Sequence, residues 1–220
     1  FALVLVSGAI ITSASALNDC TVDRTRVAQG FAPPDPTPYV NSKLTETATS
    51  INSIHWVNGV ADYQYSNTDQ DFINHINGLY SSNNIVLTHT HGGSSGGSSF
   101  MTFLDGYSDL YDSDVNNWLD SGGYFIFAGA CKSAQYSDLG NSFLNKGFDG
   151  YLGFEGDVSS VTCSCFYSAF FERGRYLDVT VSNAATYALQ TTLNEWDDYG
   201  GTDSKEILGS QYLCLAPSDW

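Results

Sequence analysis

Apolar residues fall into short continuous runs separated by stretches with helical spacing. Ile85-Val86-Leu87-Thr88 is one run, Tyr124 to Ala128 a second and Gly150 to Phe154 a third. Runs of this length without polar alternation read as strands buried on both faces. Between them the spacing changes. Phe72, Ile73, Ile76, Leu79 and Tyr80 predict a helix ending at Tyr80 and capped by Thr68 or Asp69. Asp138 to Lys146 predicts another, closed by Gly147, as do Ser159 or Ser160 to Gly174 and Val181 to Trp196. A short helix around Val115–Leu119 is capped by Asp112 or Ser113, and residues 39–53 carry a weak helical period. Ile54 to Val57 reads as a short strand closed by Asn58-Gly59, and Ile207 to Leu215 as a last strand-like stretch containing Gly209. Residues 17–38 read as irregular, with a Pro-rich connector at 31–38, and Gly92 to Ser99 as a Gly/Ser loop. Strands alternating with helices predict a mostly parallel sheet covered on both faces. Such sheets bind ligands at the C-terminal ends of their strands, and both His91 and Cys131 fall at such ends.

The chain of 220 residues fits one domain with a short extension. Residues 1–12 are apolar, and Ala14-Ser15-Ala16 follows the small-residue pattern of a signal peptidase site. Residues 1–16 therefore read as the remnant of a secretory signal, 17–53 as an N-terminal extension and 54–220 as the folded domain. The apolar run is too short to span a membrane, so no span is expected in the mature chain, which should be secreted. Eight Lys+Arg against 24 Asp+Glu leave a formal charge of −16, which makes nucleic acid a poor partner. Export permits disulfides, and five cysteines leave at least one unpaired. Cys20 and Cys214 could staple the two ends of the mature chain. Cys131, directly after an apolar run, is the choice for the free thiol.

Several constellations compete for the chemistry. Gly92-Gly93-Ser94-Ser95-Gly96 matches G-x-S-x-G, but all four histidines precede Ser94, whereas a hydrolase of that type needs its His afterwards. His89 and His91, two apart, with Cys163 and Cys165, offer metal-binding side chains. Yet Gly93 stands where a dinuclear zinc hydrolase carries Asp, and two cysteines at i and i+2 of a helix diverge. The Asp-rich composition leaves structural calcium as an option, though no EF-hand loop is present. A dyad of His91 and Cys131 suits thiol catalysis best. The imidazole would activate the thiol and then protonate the leaving amine, while the N–H groups of Gly92 and Cys131 could hold the oxyanion. The competing reading is a buried Cys ending a core strand and a His in a loop.

The strand ending in His91-Gly92, followed by the strand ending in Ala130-Cys131, resembles the signature of the caspase-like (clan CD) cysteine peptidases, gingipains among them. Ser133 resembles their C-x-S, and Leu139 to Gly147 followed by Gly150 to Phe154 is similar to the helix and strand after the catalytic Cys. Ile207 to Leu213 resembles a degenerate closing L-x-G-D-P-x-L segment, with Ser210-Gln211 replacing Asp-Pro. The resemblance covers roughly residues 54–215. It implies a caspase-like three-layer α/β sandwich, His91 as acid/base, Cys131 as nucleophile, a peptide or protein substrate and no cofactor. His89 matches no required position. Arginine-specific relatives often carry Asp two residues before the Cys, where this chain has Gly129. Glu155 and Asp157, just after the third strand, are the candidates for an acidic substrate pocket instead. A catalytically inactive caspase-fold module, binding partners outside the cell, is the alternative function.

Overall fold

The structure, a computed structural model, describes residues 20–24, 37–55, 57, 62–64, 68–78, 85–103, 108–120 and 122–218. Along the described chain lie β1 (Cys20–Arg24), α1 (Thr37–Asn52), β2 (Asp62–Gln64), α2 (Asp69–Asn77), β3 (Ile85–His89), β4 (His91–Ser95), β5 (Ser98–Phe103) and β6 (Ser108–Leu110). They are followed by α3 (Asp112–Trp118), β7 (Phe125–Gly129), α4 (Asp138–Asn145), β8 (Gly150–Phe154), α5 (Ser160–Gly174), α6 (Val181–Trp196) and β9 (Lys205–Gly209). Six strands form one sheet in the order β2-β1-β3-β7-β8-β9, and only β9 runs antiparallel to its neighbour. β4, β5 and β6 form a separate antiparallel sheet.

The continuous apolar runs become central strands because each serves two cores at once. Side chains alternate across a strand. Ile85, Leu87, Phe125, Phe127, Leu152 and Phe154 face α1, α5 and α6, meeting Leu44, Phe166, Phe170 and Ala184. Val86, Ile126, Ala128 and Tyr151 face the other way, toward Phe72 and Ile76 of α2, Val115 of α3 and Leu139 and Phe143 of α4. Met101, Phe103 and Leu110 of the small sheet join that second core. The result is a three-layer α/β sandwich with a mostly parallel sheet. α5 is buried from Thr162 to Phe171 because it lies between α1, α6 and the sheet, so no polar stripe marks it. Among the described residues no helix is long and apolar enough to cross a membrane.

Some local expectations change. Residues 20–24 are not irregular: they form β1, paired in parallel with β2 and β3. The preceding extension assignment, 17–53, therefore contains a sheet strand and α1, which packs on α5. Five residues with one strongly apolar position, Val22, carry no usable period; long-range backbone pairing makes the strand. Ile54 is not in a strand but in successive tight turns after α1, with Ile54 N–H on Ile51 O (3.0 Å) and Val57 N–H on Ile54 O (3.0 Å). Ile54 and Val57 are buried, and a buried turn mimics an apolar strand. The Gly92–Ser99 loop is a β4–β5 hairpin, turning at Gly96 and Gly97, whose φ of 62° and 93° suit a primed turn. α3 is capped at Tyr111 rather than at Asp112 or Ser113, with the Asp114 carboxylate accepting from the Tyr111 N–H at 3.0 Å. Thr68 does cap α2, accepting from Asp71 N–H at 3.0 Å. Leu79, Tyr80 and the secretory-signal segment 1–16 lie outside the described residues, as does the side chain of Cys20 on which the Cys20–Cys214 pairing turns.

Candidate active site

The C-terminal ends of β3 and β7 meet the N-terminus of α5 at a cleft of about 50 Å³. His89, Thr90, His91, Gly129, Cys131, Val158, Ser160 and Cys163 line it. The register sets this arrangement, because His89 at the end of β3 lies opposite Gly129 at the end of β7. Both positions continue the parity of Ile85 and Phe125, so both face α5.

Cys131 sits in a tight turn whose geometry is over-determined. Lys132 after it takes the left-handed conformation, φ 54°. The buried Ser133 hydroxyl lies 2.9 Å from both Ala128 O and Ala130 O and accepts from Phe154 N–H at 3.1 Å. One hydroxyl thus ties the turn to the end of β7 and to β8, which is the physical role of the C-x-S spacing. Lys132 N–H to Gly156 O and Ala134 N–H to Phe154 O, each 2.9 Å, complete the attachment. The Cys131 thiol is half-buried and unbridged. Its Sγ accepts the Val158 N–H at 3.3 Å and lies 3.4 Å from Val158 O.

His91 opens β4 and lines the same cleft. The next residue has to be glycine: a Cβ on Gly92 would fall 2.6 Å from Cys131 O, 2.8 Å from Ala130 Cβ and 2.9 Å from Phe100 O. The His-Gly and Ala-Cys segments, forty residues apart in sequence, therefore touch through their backbones.

His89 and His91 do not share a strand face, because β3 ends at His89 and Thr90 turns its N–H to Gly129 O (3.1 Å) before β4 starts. His89 is 2% exposed. Its Nδ1 lies 3.0 Å from Tyr167 Oη and its Nε2 3.2 Å from Ser160 Oγ. The sequence offers Cys163 only as a metal ligand and gives no signal for Ser160 or Tyr167. Their spacing of three and four residues puts them on one face of α5, a signal hidden in a helix that is buried all round. Burial, with Cys131 nearby as a lesser cause, pushes the Cys163 thiol well up, so it stays protonated. Cys165 points elsewhere, its Sγ donating to Glu195 Oε2 at 3.2 Å, and burial raises it too. Among the described residues no three of His, Cys, Asp and Glu come together to hold a metal ion.

The remaining candidates lie apart. Ser94 is in the hairpin, its Oγ donating to Gln135 Oε1 at 2.5 Å. Glu155 and Asp157 are exposed on the β8–α5 loop and do not line the cleft. The Asp157 carboxylate pairs with Lys132 Nζ at 3.3 Å.

Strand order, helices on both faces and a cleft at the parallel strand ends define a caspase-like α/β fold. The crystal structure of the Arg-specific cysteine proteinase gingipain R (RgpB) superposes with a TM-score of 0.61 at 13% identity, covering 93% of this chain and 49% of that one. The complex of Porphyromonas gingivalis RgpB pro- and mature domains gives 0.58 at 14% identity, covering 91% and 48%. The chain thus spans about half the length of the gingipain chains it matches. No protein-family model matches the sequence. An uncharacterized protein of Archaeoglobus fulgidus is 54% identical over 187 residues, 83% of this chain and 96% of that protein. The chain belongs to the same family as this archaeal protein, and its fold is that of the caspase-like (clan CD) proteins.

Proposed function

We propose that this chain is an exported cysteine peptidase acting through Cys131 and His91. The observation that carries the reading is the convergence of an unbridged thiol and an imidazole on one cleft at adjacent parallel strand ends. His91 takes the Cys131 proton, and the thiolate attacks the scissile carbonyl carbon. The carbonyl electron pair becomes an oxyanion, received by the N–H groups of Gly92 and Cys131. Collapse breaks the C–N bond, the amine leaves with the proton held by His91, and a thioester remains on Sγ. Water, deprotonated by His91, then releases the acid and restores the thiol. The net reaction is hydrolysis of one peptide bond, with no cofactor. Export rests on the signal-like residues 1–16.

Cys131→Ala should abolish hydrolysis of a fluorogenic peptide library by the purified chain. His91→Ala should slow alkylation of Cys131 by iodoacetamide at neutral pH, because no imidazole is left to take the thiol proton. Undiminished hydrolysis by Cys131→Ala would sink the mechanism, and an unchanged alkylation rate in His91→Ala would remove the imidazole from it.

A further inference from the structure

Among the described residues the cleft beside Cys131 is small, carries no charged side chain and is walled by segments that are fastened in place. Its volume of about 50 Å³ is well below the roughly 300–1,000 Å³ of a site for a drug-sized ligand. Among the described residues no acid, lysine or arginine lines it. On one side Gly129 leaves no further room, since a Cβ there would lie 2.5 Å from Thr88 O and 3.3 Å from Cys163 Sγ. Opposite, Ser160 is held by His89, whose other ring nitrogen is engaged by Tyr167.

The loop that carries this second wall is stitched on both flanks. Toward the nucleophile, Val158 N–H reaches Cys131 Sγ at 3.3 Å and Gly156 O receives Lys132 N–H at 2.9 Å. Away from it, Glu155 N–H bonds Ser204 O and Ser159 N–H bonds Gly200 O, both at 2.8 Å. Gly201 packs so closely on the loop that a Cβ would fall 1.9 Å from Asp157 O. Widening the cleft would break these bonds together.

A side chain on the residue whose carbonyl is attacked lies within a few bonds of Sγ, so this cleft must take it. We infer that the cleft selects a small, uncharged residue, Gly, Ala or Ser, on the acyl side of the scissile bond, with Ser160 and Cys163 as the size-setting walls. The assignment rests on the peptidase reading and makes Ser160 a specificity residue. Long basic side chains find little room and, among the described residues, no counter-charge, since Asp157 is paired with Lys132 outside the cleft.

The test is a matched set of acyloxymethyl-ketone probes on the full chain, differing only in Gly, Ala, Ser, Arg, Lys or Asp at that position. Mass spectrometry gives the rate of adduct formation at Cys131. The Ala or Ser probe should lead Arg, Lys and Asp by at least about tenfold, within the roughly 10–200-fold that one methylene commands in a closed pocket. Ser160→Val should slow the Ala probe by a similar factor while sparing the Gly probe, with iodoacetamide reporting an intact thiol. Labelling led by Arg, Lys or Asp would overturn the size assignment and leave the peptidase reading standing. No labelling by any probe, with Cys131 still alkylated by iodoacetamide, would overturn both.

Discussion

The two faces of the six-stranded sheet arrange their aromatic rings differently. On the α1/α5/α6 face, Phe125, Phe127, Phe154, Phe166, Phe170 and Phe171 form a continuous aromatic stack, with ring centroids 5.0 to 6.5 Å apart. On the other face the rings fall into separate groups, Phe72–Phe103 and Phe148–Phe143–Tyr151, set among aliphatic side chains such as Val86, Ile126, Leu110, Val115 and Leu139. The cleft sits where the two cores end. Its α5 wall continues the aromatic stack through Tyr167, which touches both Phe127 and His89. His91 comes from the hairpin whose Met101 and Phe103 belong to the other core. The α5 face thus sets the shape of the cleft, while the opposite face holds the imidazole in it.

The strongest way to break this comparison is Phe127→Ala. Phe127 meets five rings, and its truncation should cost about 3–5 kcal/mol, read as a lower urea midpoint, against about 0.5–1.5 for Ile126→Val on the opposite face. Equal costs would mean the aromatic stack holds no special share of the stability. Next comes the seam between the His-Gly and Ala-Cys segments. Gly92→Ala must push Cys131 or Phe100 aside and should slow hydrolysis about 100-fold, the usual penalty for a misplacement of about 1 Å. A rate within twofold of wild type, which is about 0.4 kcal/mol, would show that the seam is slack.

Ser133→Ala is smaller in scope. It strands the buried Phe154 N–H and removes the donor to Ala128 or Ala130, for about 1–3 kcal/mol in chemical denaturation. Hydrolysis should fall as well, because the Cys131 turn loosens. A variant as stable as wild type would remove Ser133 from its place as the tie.

The smallest effect concerns the outer edge of the α5 face. Glu195 of α6 accepts from Tyr39 Oη of α1 at 2.5 Å and from Cys165 Sγ at 3.2 Å, with Lys43 Nζ at 3.8 Å. Burial works to raise the Glu195 carboxyl, but these bonds and the Lys43 charge outweigh it and hold it below the usual range. A carboxyl depressed in the folded state lends stability above its unfolded pKa, and that stability is lost as pH falls through the folded one. Glu195→Gln should therefore cost up to about 1 kcal/mol at neutral pH, discounted because the side chain is 37% exposed. The gap in melting temperature should close below the carboxylate range. A gap that persists there would assign the effect to packing instead of charge.

Local sequence was sufficient where one segment determines its own state. The unbroken runs at β3, β7 and β8 could only be strands buried twice over, and α6 begins and ends at Val181 and Trp196 as its spacing predicts. Cys131 and His91 were legible because each follows such a run, and the Gly after the His and the Ser two residues after the Cys mark a backbone contact and a tie. Tertiary structure decided what depends on distant partners. β1 exists through its pairing with β3, and the Gly/Ser stretch after His91 is a strand because Phe100 and Met101 lie across from it. Ser160 and Cys163 became cleft walls only when α5 was laid across the strand ends, and the same packing left Glu155 and Asp157 outside. A period along the chain records which way a side chain faces; what it faces is set by pairings that no local pattern carries.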